Sequence, residues 1–208
     1  MKFVYTDGAC SNNGRGNAKA GIGIYFGEND PRNVSQRLEG KQTNNMAELT
    51  AILEAYHLIC DELDSGVEYT VVTDSEYSLK CVGKYGEKMA KIGWCEDIPN
   101  KELVRRVYEC YSKYLSSNVV SFLHIRSHTG GTDIHSLGNE QADKLAGIAI
   151  GLNALNTAPS KIFLNVPFQR KDEAKALGAK WEPSKKKWYI MTNNENKEEL
   201  LKLFQLTN

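Results

Sequence analysis

KFVYTDGAC, residues 2–10, decides how the rest of the chain is read. Phe3, Val4, Tyr5 and Thr6 are aromatic or β-branched types that fit a half-buried strand, so Lys2 to Thr6 is predicted as one. Asp7 follows, a type depleted from strands, and then Gly8 and Ala9 with almost no side-chain bulk. One reading is a turn, because Asp-Gly is a common hairpin signal. The other is a carboxylate held at the end of a core strand, where something positive must sit against the backbone. The remaining sequence has to separate the two.

The 208 residues are enough for one domain of ordinary size and a small second one. Lys+Arg and Asp+Glu both number 26, so net charge says nothing about partners, but its distribution does. From Pro159 onward ten Lys/Arg stand against six Asp/Glu, a net of +4, which leaves −4 (16 against 20) in the first 158 residues. An acidic front and a basic tail suggest nucleic acid. Cys10, Cys60, Cys81, Cys95 and Cys110 are widely spaced and contain no C-x-x-C pair, which argues against a zinc ribbon or a disulfide framework and for a reducing compartment. No charged-then-apolar leader is present and no apolar run reaches the roughly 18–20 residues of a membrane span. The expectation is a soluble, cytoplasmic protein without a membrane partner, taken as a monomer.

Strands are predicted at 19–26 and 33–41, making an antiparallel meander with the first. Thr43 is placed as the N-cap of a helix to about Cys60. A buried-type strand covers 67–74, Ser75 caps a helix over 76–82, and a less regular segment with Gly83, Gly86, Gly93 and Pro99 follows. Asn100 is read as the cap of a helix to about Leu115, 118–125 as a strand, 127–138 as a loop, and Asn139 as the start of a helix to about Ile150. Strands alternating with helices in the second half indicate an α/β sheet that is parallel there.

Asp7 has company. Glu48 shares a helical stripe with Ile52, Ala55 and Ile59, four, seven and eleven residues on, which turns it inward; the plainer reading is an acid favoured by the helix dipole. Asp74 follows Val71-Val72-Thr73 at the carboxyl end of a strand, where α/β sheets tend to build sites. Asp143 has Ala146, Gly147 and Ile150 along its face, a small surround that suggests close approach to something. Four gathered acids repel one another and raise their pKa values unless a cation intervenes. Mg²⁺ suits such a cluster, and two ions roughly 3.5–4 Å apart assist in-line displacement at phosphorus. Spacing alone does not show that the four converge.

YTDGAC…AGIGIYF, QTNNMAEL, TDSEY and GNEQADKLA, in that order over residues 1–150, resemble type 1 ribonuclease H. The resemblance implies the RNase H fold, a five-stranded mixed sheet flanked by helices. It also implies hydrolysis of the RNA strand of an RNA/DNA hybrid with Mg²⁺ or Mn²⁺, leaving 5′-phosphate and 3′-hydroxyl ends. By motif, Asp7 would bridge two metals, Asp143 would hold the one carrying the attacking water, and Glu48 and Asp74 would complete the other. A histidine assists in this family; His128 matches the pattern, and His135 is the alternative because the loop is longer than usual. His57 and His124 are read as structural. Asn13, Asn44 and Asn45 would contact the hybrid and Thr43 a phosphate, since amides both donate and accept. Two departures stand out. Glu76 replaces the frequent Gln after Asp-Ser, and the basic handle is reduced to Lys84, Lys88 and Lys91 diluted by Glu87.

After a linker at 151–160, residues 161–208 read as a small α+β domain: a strand at 161–166, a helix at 171–177, a hairpin around Glu182-Pro183-Ser184 and a helix at 195–206. Leu200, Leu203 and Phe204 share a side of the last helix, and Phe163, Trp181 and Trp188 are expected to help its core. Eight Lys/Arg against three Asp/Glu in 161–191, interleaved with aromatics, is the composition of a nucleic-acid surface; Trp181, Lys185, Lys186, Lys187 and Trp188 are its candidate residues. The plainer reading makes both tryptophans core. The segment is similar to a short uncharacterised domain appended to phage and plasmid DNA-processing proteins. A DNase on the same fold and a non-catalytic hybrid-binding protein are the competing functions.

Overall fold

In the computed structural model, strand β1 runs over Lys2–Ser11 and carries Asp7 in mid-strand, not at its end. The antiparallel ladder with β2 (Lys19–Tyr25) continues through Asp7↔Gly23, Gly8↔Ile22 and Ala9↔Gly21, whereas the parallel ladder with β4 (Tyr69–Thr73) stops at Tyr5↔Val72. Asp7 therefore sits where β1 has lost its neighbour on one side only. The turn falls later, with Asn12 at φ 52° and Gly14 at φ 79°.

The structure describes residues 1–127, 132–152, 161–191, 194 and 196–204. They divide into two units, Met1–Ala154 and Leu155–Asn208. Most of the predicted linker lies outside the described residues.

In the first unit, β3 (Val34–Arg37) and β5 (Val120–His124) complete a sheet of order β3-β2-β1-β4-β5. Its first three strands are antiparallel and β1, β4 and β5 are parallel, as expected. The third strand is shorter than predicted because a side chain takes over its ladder. The Gln42 amide accepts from Ala20 N–H at 2.7 Å and donates to the Leu38 carbonyl at 2.9 Å.

The helices are α1 (Asn44–Asp64), α2 (Glu76–Val82), α3 (Lys84–Lys91), α4 (Lys101–Ser116) and α5 (Ile134–Ala149). Thr43 and Ser75 cap as predicted, accepting from the N–H groups of Met46 at 3.3 Å and Ser78 at 3.2 Å. Helix α3 corrects the reading of its segment as irregular. Gly86 disfavours a helix by propensity, yet a Cβ there would lie 2.2 Å from the Cys81 carbonyl and 2.6 Å from the Tyr108 ring. Only glycine fits this packing. Asn100 holds the N-cap position of α4, its carbonyl accepting from Val104 N–H at 2.9 Å, but its side chain makes no capping bond; its backbone is left-handed at φ 56° and its amide donates to Tyr77 Oη at 3.3 Å. Helix α5 starts five residues earlier than predicted, because Asp133 caps it by accepting from His135 and Ser136 N–H at 3.0 Å.

Helices α1 and α4 cover one face of the sheet in a core that includes Val4, Ile22, Ile52, Ile59, Val71 and Tyr111. Helix α5 covers the other, where Tyr5, Val72 and Ala142 are buried. Both faces depend on missing side chains. A Cβ at Gly8 would meet Glu48 N at 2.3 Å, and one at Gly23 would meet the Ala142 carbonyl at 1.9 Å and Ala146 N at 2.5 Å. The small surround of Asp143 thus reflects α5 pressed backbone-to-backbone on β2.

The second unit is a three-stranded sheet of order β6-β8-β7 with β6 at Lys161–Leu164, β7 at Lys180–Glu182 and β8 at Lys187–Met191. Helices α6 (Lys171–Ala176) and α7 (Lys197–Phe204) complete it. Its core is Leu164, Ala174, Ala179, Ile190, Leu200 and Phe204, with Trp188 packed against it. Three expectations fail here. Phe163 lies outside that core and packs on Tyr189, Leu203 is exposed, and Trp181 is 48 % exposed. Strand alternation explains Phe163, which points away from the face carrying Ile162 and Leu164.

Gly23→Ala should therefore destabilise the protein by about 1–3 kcal/mol, since backbone cannot yield as a side chain can. Urea unfolding checks this: the midpoint falls and the slope stays unchanged. Gly14→Ala, with nothing within 4 Å of its Cβ position, loses only what its positive φ demands.

Candidate metal centre

Four elements bring one carboxylate each to a single cavity of about 460 Å³. Asp7 comes from β1, Glu48 from α1, Asp74 from the residue after β4 and Asp143 from α5. The contact at Gly8 places the start of α1 over the strand, which is how Glu48 reaches Asp7. One oxygen each of Asp7, Glu48 and Asp74 lie within 4.8 Å of one another, and Asp143 lines the same cavity outside this triad. The stripe predicted for Glu48 is real, since Glu48, Ile52, Ala55 and Ile59 are all buried.

The electrostatic cost is large. Asp7 and Glu48 are each only 6 % exposed. Burial, reinforced by the charges of Asp74 and Asp143, pushes Asp7 up to about 7 against a smaller opposing hydrogen bond from Gly8. Burial first, and then Asp7 and Asp74, raise Glu48 well above the usual carboxylate range. Glu48 Oε2 is buried with no hydrogen-bond partner among the described residues. Unpaired buried acceptors are costly, and a hard divalent cation with oxygen ligands satisfies both the orphan oxygen and the clustered charge. The residues fit such an ion.

Neighbours fix the carboxylates. Asn139 is buried and donates to Asp74 Oδ2 at 3.4 Å, and a ring nitrogen of His124 lies 3.2 Å from the Asp74 carbonyl. The role of Asn139 was missed in the sequence, where it read only as a helix start; its signal is the position one turn before Asp143. Asn13 accepts from Asn44 N–H at 3.3 Å, tying the turn after β1 to the start of α1. Asn44 lines the cavity, while Asn45 is exposed beside it.

His128 lies outside the described residues. His135 is not at the cavity. It occupies the first turn of α5, its ring 4.9 Å from Phe3 and its Nδ1 3.4 Å from Tyr5 Oη, which removes the argument for it as the assisting histidine. His57 faces Glu54 at 3.4 Å. Glu76 borders the cavity but its carboxylate is 3.4 Å from Lys80 Nζ, and Glu87 pairs with Lys91 at 2.7 Å, so part of the thin basic handle is neutralised. Trp181, Lys186, Lys187 and Trp188 line a cavity of the second unit.

The raised Asp7 pKa fixes a sign. A carboxyl that binds its proton more tightly folded than unfolded makes stability fall as pH rises between the two pKa values. Metal-free protein should lose stability from about pH 4 to about pH 7 on this account, and Asp7→Asn should be the more stable of the two at pH 8 by about 2–4 kcal/mol. Thermal unfolding in EDTA across that range measures it; parallel curves for the two proteins would contradict it.

Comparison with known proteins identifies the family. The RNase H family model matches residues 1–150, and a Domain of unknown function (DUF5710) matches residues 161–202. The chain is 36 % identical over 149 residues to Ribonuclease H1 of Mus musculus, covering 69 % of this chain and 48 % of that protein. It is 38 % identical over 150 residues to Ribonuclease H of Schizosaccharomyces pombe, covering 70 % and 51 %. The chain thus spans about half the length of these relatives. Among solved structures, the PFV RNase H domain superposes with a TM-score of 0.55 at 26 % identity, over 72 % of this chain and 93 % of that one. A match over residues 1–150 on a sheet of this order places the chain in the RNase H family.

Proposed function

We propose that the first unit hydrolyses the RNA strand of RNA/DNA hybrids and leaves 5′-phosphate and 3′-hydroxyl ends. The carrying observation is the triad of Asp7, Glu48 and Asp74 within 4.8 Å, two of them buried and the third half-buried, which repels any phosphate until a cation is present. A protein that only bound hybrid would gain nothing from it. Ribonuclease H relatives at 36–38 % identity support the same reading.

Two Mg²⁺ ions, or Mn²⁺, held by Asp7, Glu48, Asp74 and Asp143 would supply neutralising charge, an activated water and stabilisation of the leaving oxygen. By the family motif, Asp7 would be the ligand common to both ions. Asn139 and His124 hold Asp74 in register, and Gly8 leaves the strand bare enough for phosphate to approach. In hydrolysis the water oxygen bonds to phosphorus, the bond from phosphorus to O3′ breaks, and a proton is delivered to that oxygen. His128, carried over by motif, is assigned this proton transfer, which suits an imidazole near neutral pH. Asn13, Asn44 and Asn45 are assigned to the hybrid, whose 2′-hydroxyls distinguish RNA from DNA, and Thr43 to a phosphate. The second unit adds grip on nucleic acid through its lysines and tryptophans, where the first unit's reduced basic handle supplies little. Cysteines that are all free agree with action in the reducing cytoplasm, and the proposal needs only a single protomer.

A duplex of 5′-labelled RNA on DNA, incubated in Mg²⁺, tests the reading. RNA should be cut in the hybrid and not in double-stranded RNA, and double-stranded DNA should survive. Asp7→Asn should lose more than the roughly 10–100-fold that removing an outer-shell partner costs, and Asn139→Ala should lose about that much. Tight binding without cleavage in either metal would leave the non-catalytic hybrid-binding reading standing.

A further inference from the structure

The second unit has an aromatic groove at the edge of its core. Trp181 and Trp188 are cross-strand partners on β7 and β8, so their side chains share a sheet face, and their rings meet edge-on at 5.5 Å. Leu164 stands opposite Trp188 on β6, extending the row. Trp188 packs on the core at its inner end, whereas Trp181, on edge strand β7, takes no part in the apolar cluster and is half exposed. With Asn165, Val166 and Pro167 the two rings line an open cavity of about 430 Å³.

Its rim is cationic. Segment 161–191 holds eight Lys/Arg and three Asp/Glu. All three acids are engaged within the unit: Glu182 by Lys161, Glu173 by Arg170 at 2.7 Å and Asp172 by Lys175 at 3.5 Å. Five lysines therefore have no acidic partner among the described residues, and two of them, Lys186 and Lys187, border the groove. The hairpin turn holds Lys186 in a left-handed conformation at φ 49°, a strained state for a lysine.

We propose that this groove binds unpaired nucleotides of a single-stranded nucleic acid. A base stacks on Trp181, and the flanking phosphates lie against Lys186 and Lys187. An exposed indole in a concave site offers a stacking face that every base can use, while a paired base has both faces already covered. Uncompensated lysines at the rim supply charge complementarity to the backbone. The proposal deepens the assignment of this unit to nucleic acid and does not require the first unit to cleave.

The test uses the full chain carrying Asp7→Asn, with a fluorescein-labelled twelve-nucleotide thymidine strand followed by anisotropy and the blunt DNA duplex of that strand as comparison. Trp181→Ala should raise Kd for the single strand roughly 5- to 100-fold, and Trp181→Phe should restore most of the affinity. Lys186→Ala with Lys187→Ala should reduce the slope of log K against log salt by about 1.4, or ~0.7 per phosphate contact. These lysines are exposed, so the double variant removes only solvated side chains. The proposal is overturned if Trp181→Ala and the lysine variant both leave single-strand affinity and its salt slope unchanged. Duplex binding as tight as single-strand binding, with the same dependence on Trp181, also overturns it. Failure of hybrid cleavage by the wild type would instead count against the first unit alone.

Discussion

The structure depends on two places where a helix touches a strand backbone with no side chain between them. At Gly8 the start of α1 rests on β1, and at Gly23 helix α5 rests on β2. Asp7 is the cross-strand partner of Gly23 and the chain neighbour of Gly8, so both contacts converge on it. Each contact fixes a second acid: Glu48 at the α1 contact, and Asp143 next to Ala142 at the α5 contact. A methyl group at either glycine would move one of the clustered carboxylates as well as loosen the core. The same packing that stabilises the sheet sets the geometry of the site.

The site works against the fold's own stability. Three carboxylates are held close in a largely buried pocket, one of them with an oxygen that has no partner among the described residues. Without a cation, burial and the neighbouring charges favour the protonated forms of Asp7 and Glu48. Strain of this kind, met by rigid surroundings, is what preorganised ion binding requires. Asn139, His124 and the cap at Ser75 supply the rigidity around Asp74.

Much of this was legible in the sequence, for reasons that differ by residue. Glu48 betrayed itself by sitting on an apolar stripe, and Asp74 by ending an apolar strand just ahead of a helix cap. Both are local patterns. The bounds of β1 were not legible, because Asp7 and Gly8 oppose strand propensity and are held there by pairing with β2, a tertiary effect. Helix α3 was hidden by Gly86, whose reason is the Cys81 carbonyl and the Tyr108 ring. The early end of β3 came from one glutamine amide replacing a strand. In the second unit composition identified the basic and aromatic character correctly, but only the strand order separated Trp188, on the central strand and packed against the core, from its cross-strand partner Trp181 on the edge strand, outside it.

The central claim is that the carboxylate cluster is built for a divalent cation and holds protons in its place. Calorimetric titration of Mg²⁺ into metal-free protein at pH 7, in two buffers of different ionisation enthalpy, reads the protons exchanged on binding. The account predicts a release of roughly half a proton or more per protein, as a carboxyl with a pKa of about 7 gives up its proton to the ion, and a clear reduction in Asp7→Asn. Binding with the same heat in both buffers, or no binding at all, would contradict it.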